Sequence, residues 1–167
     1  MRLTNRFVRV FQWIAPVLLT GFVVFGRGLL GAPLGWMAAI GLFLGPVVAL
    51  LMYIPPVVFV FDRVAAAARK SRLAYDITSY VLWASLIVMG LTLQDGGDDG
   101  VYGSVLSEWG VLGDDATVLA FAVAMMIASV AWLATLAAAI TSVTLSRHPG
   151  TPPAAPVTRA DAPFTAP

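Results

Sequence analysis

The sequence predicts an all-α membrane protein: four transmembrane helices in an antiparallel bundle, with both termini in the cytoplasm. Three observations lead there. Apolar residues make up 59% of the 167 and charged residues only 11%, with a mean hydropathy of +0.87. A soluble domain carries about 25% charge, so this chain lacks the polar groups to cover a water-facing surface. Four apolar runs approach or exceed the roughly 20 residues that a bilayer-crossing helix needs. Nine of the ten basic residues fall on one side of the spans those runs define.

The first span is expected at about 12–30. The preceding MRLTNRFVRV carries Arg2, Arg6 and Arg9, as the charged start of a signal peptide would. No small-x-small cleavage site follows, and Arg27 interrupts the place for one, so the run is read as a retained span. GRGLLGAP (26–33) is short and rich in helix breakers, which makes the first two spans a helical hairpin. Pro33 suits a first helical turn, where a missing N–H costs nothing. The second span, about 34–61, contains Pro46, Pro55 and Pro56. Kinks are expected near Leu42 and in its final third, because each proline removes one helical hydrogen bond. The segment 62–76 holds Arg63, Arg69, Lys70 and Arg72 around an AAAA centre whose helix propensity favours continuing the second helix into water.

The third span is expected at about 77–93 and the fourth at about 117–145, with Asp76 and Thr117 as N-caps. Asp114 and Asp115 before the last span and Arg147 after it suit the helix dipole. In hydrocarbon every backbone N–H and C=O must be satisfied within the segment, and these runs are too long and too uniformly apolar for barrel strands. Residues 1–146 are thus read as one four-helix domain, and 147–167 as a disordered cytoplasmic tail holding six of the eleven prolines.

Orientation follows from charge. Arg27 alone among the basic residues shares its side with Asp95, Asp98, Asp99, Glu108, Asp114 and Asp115. Lys and Arg near the spans stay in the cytoplasm, so the loop 94–116 is placed outside a cell membrane. Within that loop DGGDDG is read as a solvated turn, since it lacks the EF-hand spacing. Val101, Val105, Trp109 and Leu112 share one face of a short amphipathic helix. Trp13, Tyr75, Tyr80 and Trp83 are expected at the inner interface and Trp36 at the outer one. Trp132, in mid-span, is expected to fill a gap between helices.

Chemistry is sparse. There is no Cys, and the single His, His148, lies in the tail. No ionisable residue lies well inside a span, which disfavours proton relays and ion-coupled transport. No nucleophile–base pair can be drawn, so neither catalysis nor a cofactor nor a metal is expected. Gly41, Gly45 and Ala49 at spacing four form a groove for close helix packing, within the chain or between copies. The expected partners are the lipid bilayer and a second copy or other membrane subunits. A net charge of +1 argues against nucleic acid. The function expected is a non-catalytic assembly or accessory component acting through helix packing. The alternative is a small channel or transporter subunit, including a holin-like pore former.

Overall fold

The computed structural model describes residues 2–61 and 69–147. Its elements are α1 (Arg2–Leu29), α2 (Trp36–Val60), α3 (Arg69–Thr92), β1 (Asp95–Gly97), β2 (Gly100–Tyr102), α4 (Val105–Glu108) and α5 (Asp114–Arg147). Four of these, α1, α2, α3 and α5, are long and apolar enough to cross a membrane, as fits a membrane protein.

The helices begin earlier than hydropathy alone suggested. α1 reaches back to Arg2 and α3 to Arg69, and the stretches ahead of the expected spans carry packed apolar residues: Val8 and Tyr75 are both buried. Two expected N-caps move inside helices as a result. Asp76 is interior to α3, and Thr117 lies in the first turn of α5, where its hydroxyl donates to the Asp114 carbonyl at 2.8 Å. The second helix ends at Val60, with Phe61 as C-cap. The AAAA stretch expected to prolong it and the tail from His148 onward lie outside the described residues.

α2 is helical without a break through Pro46, Pro55 and Pro56. One reason is visible. Pro55 offers no N–H to the Leu51 carbonyl one turn earlier, and the Trp132 indole N–H donates to that carbonyl instead, at 3.3 Å. Trp132 does bridge helices, and it has the polar partner that sequence reading did not give it.

The α1–α2 turn ends α1 with Gly31 at φ +89°. The Ala32 N–H reaches the Arg27 carbonyl at 2.9 Å and the Gly31 N–H the Gly28 carbonyl at 3.4 Å. This pairing satisfies carbonyls the helix leaves open, and its left-handed position favours glycine. The loop after α3 also departs from expectation. DGGDDG forms an antiparallel hairpin with Asp95 opposite Tyr102 and Gly97 opposite Gly100. The amphipathic helix shrinks to the single turn of α4, capped by Ser104. Only Val105 of its proposed apolar face is buried; Val101, Trp109 and Leu112 are exposed.

α3 makes its largest contact with α5, α1 lies against α2 and α3, and α2 also touches α5. α5 buries Ala124, Ala128, Ala131 and Ala139, small residues that let helices approach closely. Tyr75 and Trp83 are buried between helices. Trp83 packs edge-on to Phe11 with centroids 4.7 Å apart, and Tyr75 stacks on Phe59 at 4.2 Å. α2 is the least enclosed span: 6% of its most apolar 18-residue stretch is buried, against 39% for that of α3, and of its 25 residues Gly45, Met52, Pro55 and Pro56 are buried.

Candidate functional site

Two polar centres stand out, one at each end of the helices. The first ties the loop to the helix ends. Arg27, in the last turn of α1, is fully buried, and its guanidinium lies 3.6 Å from the Asp95 carboxylate of β1. The same guanidinium donates to the Gly103 carbonyl at 2.8 Å and the Leu93 carbonyl at 3.4 Å. Asp95 in turn accepts from the backbone N–H groups of Gly35, Met37 and Gly96, each at 2.8 Å. Its carboxylate therefore caps α2 from 60 residues away, where the helix dipole favours negative charge. Gly35 itself offers no side-chain cap. A Cβ on Gly35 would collide with the Gly96 carbonyl oxygen, so glycine is needed for the approach. Gln94 completes the knot, donating to Thr117 and to the Asp114 carbonyl at the start of α5.

Sequence reasoning placed Arg27 and Asp95 on one side but did not pair them. The available signal was a lone base facing an acidic loop. Asp98 and Asp99, at the hairpin tip, are exposed, and no group of three or more His, Cys, Asp or Glu side chains gathers among the described residues.

The second centre lies toward the other end. The Tyr75 hydroxyl of α3 donates to the Gln12 side-chain oxygen of α1 at 2.8 Å. The Gln12 amide donates to the Arg9 carbonyl at 3.2 Å. Ser79, one turn along α3, faces the same tyrosine, and all three residues are buried. Thr135 of α5 joins them around a small cavity that Met52, Pro55 and Pro56 of α2 also line. Every spanning helix contributes to this cluster. Several hydroxyls bond back within their own helices, Thr135 to Ala131 at 2.7 Å as well as Ser85 to Val81 and Ser129 to Met125, whereas Thr20 of α1 reaches the Met52 sulfur of α2 at 3.7 Å.

Of the expected packing row, Gly41 lies against Val24 of α1 closely enough that a Cβ would overlap that side chain. Gly45 is buried beside Thr20 and Val24, where a Cβ would make ordinary contact with the Thr20 methyl at 3.7 Å, and Ala49 is half-buried. Gly41 and Gly45 of the row thus face the chain's own first helix. What α2 leaves open is its other side, with Phe43, Leu50, Leu42 and Leu44 exposed. Between α2, α3 and α5 runs an apolar groove of about 420 Å³, lined by Met52, Met89, Met125 and Trp132 among others. No protein family, curated protein or solved structure matches the chain.

Proposed function

We propose that this chain is a non-catalytic, multi-pass protein of the cell membrane, an assembly or accessory component that works by packing against other membrane helices. The helices would form an antiparallel bundle with both termini in the cytoplasm. The gathering of the α1 C-terminus, α2 N-terminus, α3 C-terminus and α5 N-terminus around one hairpin supports the bundle. The asymmetry of basic residues supports the orientation.

The observation that carries the packing role is α2. It is apolar all round, only four of its 25 residues (Gly45, Met52, Pro55 and Pro56) are buried, and Phe43 and Leu50 project along its open side. Lipid alone satisfies such a face, and so does another helix; the adjoining methionine-lined groove is the adaptable kind of surface that accepts a partner. The test uses the absence of native cysteine. Single Phe43→Cys and Leu50→Cys variants, oxidised in native membranes, are expected to cross-link to a second copy or a neighbouring subunit. Leu119→Cys and Leu133→Cys, on exposed α5 positions, are the controls. Equal cross-linking at all four positions overturns the packing role.

The second reading is a small channel or transporter subunit, including a pore former built from several copies. The buried Gln12–Tyr75–Ser79–Thr135 cluster favours it, since buried polar side chains between apolar spans can line a path for a solute. Dye or ion flux through liposomes holding the purified chain tests it, and tight vesicles at high protein loading would reject it.

A further inference from the structure

Pro16 and Pro56 leave a hydrogen-bonding deficit in the middle of the helix packing. Neither presents an N–H to the carbonyl one turn earlier, that of Gln12 in α1 and that of Met52 in α2. The comparable carbonyl of Leu51 is taken by Trp132. No side-chain donor reaches the carbonyls of Gln12 or Met52 among the described residues. Buried backbone carbonyls are nearly always paired, if not to protein then to ordered water.

Gln12, Pro16, Met52 and Pro56 all line one cavity, which Tyr75, Ser79 and Thr135 close from α3 and α5. Its volume is about 20 Å³. A buried water needs at least about 10–15 Å³ of such space and two to four polar partners. We propose that this cavity is a binding site for a single structural water, which donates to the carbonyls left open by Pro16 and Pro56 and accepts from the Ser79 hydroxyl, while Thr135, whose own hydroxyl donates to the Ala131 carbonyl at 2.7 Å, walls the cavity beside it. The lining contains no carboxylate and no cationic side chain, and the volume admits one water and little more, so the occupant is neutral. The water replaces two missing helical bonds at once. It stitches α1 to α2 where both are interrupted, and it explains how four polar side chains sit at the junction of four apolar helices.

Solid-state NMR of the full chain in phosphatidylcholine vesicles tests this by reading magnetisation transfer from water to individual side chains. Ser85 is the control, a buried hydroxyl on the same helix as Ser79 but outside the cavity, bonded to Val81. Ala139 is a second control, fully buried and one turn closer than Thr135 to the end of α5. Build-up at Ser79 and Thr135 is expected to be several-fold faster than at both controls. Equal build-up means a dry cavity and overturns the proposal. Pro56→Ala restores an N–H to the Met52 carbonyl and is expected to at least halve the signal at Thr135. Pro16→Ala, read at Ser79, makes the same check at the Gln12 carbonyl. Signals unchanged in both variants overturn the assigned partners.

Discussion

Arg27 and Asp95 form a fully buried ion pair, 3.6 Å apart, between the last turn of α1 and the first strand of the hairpin. The two residues are not equal partners. Asp95 also accepts three backbone N–H groups, whereas Arg27 has carbonyl acceptors for its terminal nitrogens and leaves its Nε without one. Asp95→Ala strands a buried guanidinium and uncaps α2 together. Removing one member of a buried pair costs about 3–5 kcal/mol, and this variant is expected at the upper end. Arg27→Met removes the charge while leaving the three donors on Asp95, so its loss is expected to be smaller. Thermal unfolding in detergent micelles ranks the two. An Arg27→Met loss equal to that of Asp95→Ala would show that the carboxylate's role as a cap is minor. The ranking should persist at high salt, since buried pairs are weakly screened.

A second prediction concerns Trp132 and a proline it does not touch in sequence. The indole N–H bonds the Leu51 carbonyl because Pro55 cannot. Trp132→Phe is therefore expected to cost about 0.6 kcal/mol, and at most about 1.7, the range for hydrogen bonds between membrane helices, plus the lost ring area. In a Pro55→Ala background the carbonyl regains its helical donor, and the hydrogen-bond part of that cost should vanish. A double-mutant cycle measures the difference. Strictly additive losses would mean the indole contributes only packing.

The spans were legible because apolar runs of this length have few alternatives, and their number matched the charge asymmetry. Their ends were not. A hydropathy reading stops at Arg9 or Asp76, while the helix continues as long as residues such as Val8 and Tyr75 find packing on the far side. The hairpin was hidden for a different reason. DGGDDG has the turn residues but none of the β-branched or aromatic residues that mark a strand, and only Val101 and Tyr102 supply them, on the return. The Arg27–Gly103 and Arg27–Asp95 contacts join segments far apart in sequence, and no local pattern encodes such pairing. The Gly41–Gly45–Ala49 row was visible as a place for close approach, but spacing alone does not say which helix approaches.

That row yields an asymmetric prediction. A Cβ at Gly41 overlaps the Val24 side chain, which is β-branched and stiff, whereas one at Gly45 meets nothing nearer than 3.7 Å. Gly41→Ala is expected to cost about 1–3 kcal/mol through overpacking, and Gly45→Ala close to nothing. Val24→Ala should restore much of the loss in Gly41→Ala. Unfolding midpoints in micelles read all three variants. Equal effects at 41 and 45, with no rescue, would mean α1 does not seat against α2 at this register.

The last prediction separates a hydrogen bond from the groups that make it. The Tyr75 hydroxyl and the Gln12 side-chain oxygen are both buried and meet at 2.8 Å. Tyr75→Phe leaves the oxygen without that donor, and Gln12→Leu leaves the hydroxyl without that acceptor. Each stranded group costs about 1–3 kcal/mol, while removing both partners together approaches neutrality. The double variant is accordingly expected to unfold no more easily than the worse single one. The comparison is made under mild denaturant in micelles, with the Phe59–Tyr75 stack preserved because phenylalanine keeps the ring. If the double variant loses the sum of the two single losses, Gln12 and Tyr75 stabilise the packing independently, and the polar cluster joining α1 to α3 is not a connected network.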